Sequence, residues 1–306
     1  MMCCMIVRAD ISEIPSYIPG KRLADALKLS SNEVTHPPLP AAVAAMAEAA
    51  TTANRYPDMG ATDLIHAIAK HLKLRPEQVA VGCGSSALCQ QLVQITCTTG
   101  DEVVFPWRSF EAYPIFARVA GATPRPVPLT ADHRVDLPAL AAAITPATRL
   151  VFVCNPNNPT GTTITKQEFE EFMAVVPPTT LVALDEAYFE FVRTQDTPMG
   201  TEVVVKHENV VALRTFSKAY GLAGAAQLLE RTNETVSERD RVARAIGAIP
   251  SEANFVWIPT ETAATLAQQL ADQGVIVRAF PEGVRITVTD HAEANRFLAA
   301  WNSITQ

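Results

Sequence analysis

Six short apolar runs rich in β-branched residues, separated by longer stretches of helical composition, constrain this chain more than any other feature. They are Val79 to Val81, Val103 to Phe105, Thr123 to Leu129, Leu150 to Val153, Leu181 to Leu184 and Val210 to Leu213. The runs are nearly continuous rather than alternating, the pattern of strands buried on both faces of a parallel sheet. Helices are expected between most of them, at Ser85 to Thr98, Phe110 to Ala120, Leu137 to Ile144 and Lys166 to Val175. Strand, helix, strand in repetition predicts an α/β sheet with helices on both faces.

The two ends read differently. Pro40 to Ala53 is an Ala-rich helix and Thr62 to Leu72 is another. Beyond Gly224 a polar helix is expected from about Gln227 to Ala245, followed by strand Ala253 to Ile258 and helix Glu261 to Gln273. Strands at Val275 to Ala279 and Val284 to Val288 and a last helix complete a β-α-β-β-α pattern, the mark of a smaller α+β domain. A length of 306 residues accommodates two such domains.

Composition narrows the function classes. A formal net charge of −7 argues against a nucleic-acid binder or a protein that binds anionic membranes. No apolar stretch approaches the roughly 20 residues that span a bilayer. The apolar start, Met1 to Val7, meets Arg8 and Asp10 at once and does not read as a signal peptide. Six cysteines (Cys3, Cys4, Cys83, Cys89, Cys97, Cys154) without a C-x-x-C pair predict reduced thiols in the cytoplasm. No metal site is expected, because His66 and His71, five apart on a helix, point to different faces.

Three segments stand at the carboxyl ends of expected strands, where open α/β sheets bind ligands. Asp185 follows Leu181 to Leu184; a carboxylate buried there needs a partner, whether a ligand or a structural group. Asn155-Pro-Asn-Asn-Pro-Thr-Gly161 follows Leu150 to Cys154 and must turn tightly, leaving its asparagines available to a ligand. Thr215-Phe-Ser-Lys-Ala-Tyr-Gly221 follows Val210 to Leu213. Its Lys218 is flanked by hydroxyls spaced to line an anion site, and burial there would lower its pKa enough for Schiff-base chemistry.

A fourth segment, Gly82-Cys-Gly-Ser-Ser-Ala87, joins a strand to a helix, where backbone N–H groups cradle phosphate. It also matches the dinucleotide fingerprint of nicotinamide-dependent dehydrogenases. That reading wants an acid at the end of the second strand, whereas Asp101 and Glu102 precede it.

In this order the motifs are specific. The Asn-Pro turn, then Asp-Glu-Ala-Tyr (Asp185 to Tyr188), then Ser-Lys-Ala-Tyr-Gly-Leu-Ala-Gly (Ser217 to Gly224) resemble fold-type-I pyridoxal-phosphate (PLP) aminotransferases. Within them the chain is similar to the histidinol-phosphate aminotransferase family, and closer to its actinobacterial aromatic (phenylalanine) aminotransferase branch. Leu29 to Glu33, Asn54 to Asp58, Trp107 to Phe110, Ala253 to Trp257 and Gly283 to Thr287 support this.

The resemblance implies a large PLP-binding domain over 40–226, a small C-terminal domain over 227–306, and an N-terminal arm, 1–39, packing with the small domain. It implies that Lys218 bonds the cofactor and moves the substrate's proton, while Asp185 pairs with the pyridine nitrogen. Asn158 and Tyr188 would meet the phenolic oxygen, Tyr188 with a catalytic share, and Phe110 would stack on the ring. Ser85, Ser86, Thr215 and Ser217 would hold the phosphate, joined by Tyr56 from the neighbouring subunit of a homodimer. Arg285, Asn32 and Tyr17 would bind substrate. The implied reaction takes an aromatic L-amino acid and 2-oxoglutarate to the aromatic 2-oxo acid and L-glutamate. Histidinol phosphate is the alternative substrate, since Arg278 stands where such enzymes hold its phosphate. A decarboxylase on a related fold is a further alternative.

One departure matters. Where the family continues after Gly-Leu-Ala-Gly with Leu-Arg-x-Gly-Tyr, whose arginine binds the cofactor phosphate, this chain has Ala225, Ala226 and Gln227 and then Leu228 to Asn233. A large-domain strand and much of the helix linking the domains are missing. An internally deleted member with weakened or lost activity is therefore a third alternative.

Overall fold

The computed structural model describes Arg8, Ile11, Ile14 and residues 25–219 and 225–305, apart from the side chains of 225–227. Tyr17 lies outside the described residues. Five of the six apolar runs become one parallel sheet. Its strands are β2 (Glu102–Trp107), β3 (Thr123–Pro128), β4 (Thr148–Cys154), β5 (Leu181–Asp185) and β6 (Val210–Leu213), in the order β3-β2-β4-β5-β6. A short β1 (Leu27–Lys28) precedes them in the chain.

Alternate residues of these strands feed two cores, as the two-residue period of a strand requires. On one face Val104, Val151, Val153, Val182 and Leu184 pack with Leu137 and Leu140, Phe169 and Phe172, and Val203. Those residues belong to α5 (Leu137–Ala142), α6 (Lys166–Met173) and α7 (Gly200–Lys206). On the other face Val103, Phe105, Leu150, Phe152 and Ala183 meet Cys89, Val93, Tyr113 and Ala117. Those come from α3 (Gly84–Thr96) and α4 (Tyr113–Ala120). Caps start the helices where the sequence offers them: Thr165 and Glu168 form a reciprocal capping box on α6, and the Asp136 side chain accepts from Ala139 N–H on α5.

One expectation needs correction. Val79 to Val81 is not a strand; Val79 and Val81 are half-buried, Ala80 is exposed, and among the described residues no strand pairs there or along the outer edge of β6. An apolar run forms a strand only where a neighbour takes its backbone hydrogen bonds, and among the described residues no strand is placed to do so. Conversely Gly200-Thr-Glu-Val-Val-Val-Lys206, with three valines in a row, is helical. Packing of Val203 against the sheet overrides its β propensity.

Before the sheet, α1 (Pro40–Ala50) buries no residue and α2 (Thr62–Leu72) buries only Ala69. After it, α8 (Ala225–Ile246) leads to β7 (Phe255–Pro259), α9 (Ala263–Asp272), β8 (Val275–Ile276), β9 (Arg278–Phe280), β10 (Gly283–Thr287) and α10 (His291–Thr305). β7, β10 and β9 form an antiparallel sheet over a core of Val256, Leu270, Val284, Ile286 and Phe297. The expected strand from Val275 to Ala279 thus divides in two. Its first half, β8, pairs in parallel with β1, and Leu27 and Leu29 join the same core.

Candidate active site

The carboxyl ends of β2, β4, β5 and β6 open onto one cavity of about 240 Å³. Its lining includes Asn32, Ser85, Ser86, Phe110, Asn158, Asp185, Tyr188, Thr215, Ser217, Lys218 and Arg285. The structure therefore brings together every described site residue expected from sequence except Tyr56. Tyr56 is 98% exposed, so it contributes nothing to this chain's own cavity.

Asp185 ends β5 and is buried; burial pushes its carboxyl above the ordinary range. Two neutral donors oppose that shift, Tyr113 Oη to Oδ2 at 2.7 Å and Ala187 N–H to Oδ1 at 3.1 Å. Tyr113, which the motifs did not mark, is fully buried and stacks on Phe152 with centroids 4.2 Å apart and planes 9° from parallel. Nothing in the spacing distinguishes it from an ordinary core tyrosine. Phe110 meets its edge at 5.4 Å and faces the cavity.

The Asn-Pro turn divides its asparagines. Asn155 donates to Thr197 Oγ1 and accepts from Ile164 N–H, and Asn157 donates to Thr160 Oγ1 and accepts from Ser109 Oγ. Both are consumed in holding the turn, so only Asn158 reaches the cavity, contrary to the expectation that all were available. Gly161 closes the turn at φ 75°, where a Cβ would lie 2.7 Å from Ser251 Cβ; only glycine fits.

Lys218 lies beyond β6 with Nζ 3.4 Å from the Ser31 carbonyl. Burial, then the positive charge of Arg285, lower its pKa to about 8, with Glu33 pulling the other way. Arg285, on β10, donates to Asn158 Oδ1 at 2.7 Å and to the Ser30 carbonyl at 2.6 Å. Tyr188 Oη accepts from Asn32 Nδ2 at 3.0 Å, and Asn32 Oδ1 accepts from Thr287 Oγ1 at 2.9 Å.

The same cavity gathers four hydroxyls suited to an anion. Thr215 Oγ1 and Ser217 Oγ are 2.8 Å apart, and Ser85 and Ser86 lie in the first turn of α3. That turn has no side-chain cap, so its leading N–H groups suit a phosphate. The cations lining the cavity are Lys218, Arg278 and Arg285. The arginine that the resemblance would put on the phosphate has no counterpart among them.

The donor set fits PLP. A buried carboxylate held by neutral donors suits a protonated ring nitrogen, a lysine of lowered pKa suits an aldehyde, and a helix N-terminus with four hydroxyls suits the phosphate. Among the described residues no His/Cys/Asp/Glu group is placed to hold a metal, and no helix is long and apolar enough to cross a membrane.

Comparison with known proteins agrees with this geometry. Residues 24–243 match the family model for aminotransferase class I and II. An aromatic amino acid aminotransferase of Corynebacterium efficiens is 57% identical, the match covering 98% of this chain and 99% of that one. One of Mycobacteroides abscessus is 47% identical over 95% and 97%. The first of these alignments runs over 339 positions against 306 residues here, so at least 33 positions find no counterpart, in keeping with a missing segment. Among solved structures, the histidinol-phosphate aminotransferase of Sinorhizobium meliloti in complex with pyridoxal-5'-phosphate superposes with a TM-score of 0.85. It is 26% identical, and 98% of each chain is covered. The chain belongs to the class I and II aminotransferase family.

Proposed function

We propose that this protein is a PLP-dependent transaminase of aromatic L-amino acids, passing the amino group to 2-oxoglutarate to yield an aromatic 2-oxo acid and L-glutamate. The observation that carries the reading is one cavity joining Lys218, its pKa lowered to about 8, to buried Asp185 and to Arg285. The substrate class rests on relatives 47% to 57% identical over nearly the whole chain.

When bound, the pyridoxal ring supplies an electron sink for the charge that develops at the substrate's Cα. Asp185 would keep the ring nitrogen protonated. Phe110 would lie against the ring, and Asn158 and Tyr188 would hold its phenolic oxygen. Ser85, Ser86, Thr215 and Ser217 would hold the phosphate. Arg285 clamps the substrate carboxylate, a planar guanidinium suiting bidentate contact, and Asn32 lines the substrate's side. Lys218 Nζ takes the proton from Cα.

The working unit is a homodimer in which Tyr56 reaches the partner's phosphate site. Its full exposure supports this, as do the unburied apolar residues Val43 and Met46 on α1 and Leu64 on α2. The pairing of β1 with β8 supports an arm over 1–39 packed on a small domain over 227–306, beside a large domain over 40–226. The free thiols Cys83, Cys89, Cys97 and Cys154 support a cytoplasmic location.

Arg278 in the cavity favours histidinol phosphate as the second substrate reading. The test is to load the protein with PLP, reduce with borohydride and map the modified lysine, then compare turnover of phenylalanine and histidinol phosphate. Labelling confined to Lys218 with phenylalanine preferred supports the proposal. Preference for histidinol phosphate overturns the substrate, and no label at Lys218 overturns the activity in favour of an inactive remnant.

A further inference from the structure

The transamination proposed above has to admit two unlike side chains in turn. The aromatic donor carries one carboxylate and an uncharged ring; 2-oxoglutarate carries two carboxylates. The cavity meets this with two arginines on neighbouring strands, Arg278 of β9 and Arg285 of β10, which are direct register partners. Like charges opposite each other on one sheet repel, and in a partly desolvated cavity the repulsion is stronger than in water. The ring of Phe280 relieves part of it, lying 5.6 Å from the Arg278 guanidinium and 5.7 Å from that of Arg285.

Glu111 offsets more of it, its Oε2 accepting from Arg278 NH2 at 2.9 Å. Glu111 sits in the turn before α4, next to Phe110, and also lines the cavity. Its side chain is 44% exposed against 22% for Arg278, so the carboxylate has a path to water while the guanidinium stays.

We propose that Glu111 is a specificity residue: it partners Arg278 while an aromatic side chain fills the cavity, and yields that place to the distal carboxylate of 2-oxoglutarate or glutamate. Across both half-reactions the two arginines then face two carboxylates. With the aromatic donor one is the substrate's and one is Glu111; with the dicarboxylate both are the substrate's.

The inference rests on the proposed transamination but is tested without turnover. Glutarate and 3-phenylpropanoate share one carboxylate and differ in the distal group, so their affinities for the PLP-supplemented protein can be compared by calorimetry. Glu111→Gln is expected to raise the ratio of glutarate to 3-phenylpropanoate affinity at least tenfold, and Glu111→Asp to restore most of the original ratio. Arg278→Gln should abolish the preference for glutarate, and adding Glu111→Gln to it should change nothing further. A ratio moved less than twofold by Glu111→Gln, or equal weakening of both ligands, overturns the inference. So does an effect of Glu111→Gln that persists without Arg278. Absence of phenylalanine turnover in the unsubstituted protein would count against the transaminase reading alone, because the binding ratios would still report on Glu111.

Discussion

The lowered pKa of Lys218 has a direct chemical consequence. With a pKa of about 8, roughly a tenth of its side chains are uncharged at pH 7, against about 4 in 10,000 for an ordinary lysine near 10.4, a ratio of about 230. Only the uncharged amine attacks a carbonyl. Reductive methylation of the cofactor-free protein across pH 6 to 11, followed by peptide mass mapping, reads each lysine's titration separately. Lys218 is expected to inflect near 8, well below the ordinary lysine value near 10.4.

The causes make further demands. Arg285→Gln removes a neighbouring positive charge and should move the inflection up; Glu33→Gln removes the opposing negative charge and should move it down. The same shift sets the sign of a stability change. Because the folded pKa lies below the unfolded one, both states carry the proton below pH 8, and the buried ammonium is a constant penalty there. Between about 8 and about 10.4 the folded state releases its proton first, so the cofactor-free protein should grow more stable through that window. An inflection of Lys218 near the ordinary lysine value of about 10.4 would refute the reasoning, since burial and Arg285 could not then be acting as described.

Other consequences concern Asp185 and the missing segment. Tyr113→Phe removes the 2.7 Å donor to Asp185 and should cost roughly 1.5–3 kcal/mol in urea unfolding at neutral pH. Since the folded carboxyl already titrates above its unfolded value, the charge-dependent part of the loss should vanish in acid, where both states are protonated, and grow as pH rises through its folded titration. Asp185→Asn should weaken PLP binding by about a hundredfold, the roughly 3 kcal/mol of a buried ion pair left without one partner, as read by spectrophotometric titration. Inserting the corresponding segment of the Corynebacterium efficiens relative between Gly224 and Ala225 is expected, from the family resemblance, to supply a phosphate-binding arginine. PLP affinity should rise about ten- to a hundredfold, with a higher melting temperature from a closed sheet edge; equal values in the two proteins would show the segment to be dispensable.

Much of the site was legible because its groups follow buried strands at short, regular distances. Asp185 ends β5, the Asn-Pro turn follows β4 and Lys218 follows β6 by five residues, so predicting the strands amounted to predicting one shared edge. Arg285, on the distant strand β10, was assigned by resemblance and not by spacing. The division of labour among Asn155, Asn157 and Asn158 was hidden, because which amide a turn consumes depends on Thr197, Ile164, Thr160 and Ser109, and Thr197 and Ser109 lie more than 40 positions away. Glu111 and Tyr113 were hidden for the same reason, each meeting its partner only after β9 and β5 had taken their places.

Sequence alone, then, determined the parallel sheet and the strand ends that the candidate site residues follow. These come from periodicity and from residue identity, which are local. Whether a given apolar run becomes a strand was decided only by the fold. Val79 to Val81 has the composition of one and no partner, while Val203 to Val205 has it too and coils into α7 against the sheet. A strand's hydrogen bonds are made to other segments, so its existence is a property of neighbours that a one-dimensional chain does not name.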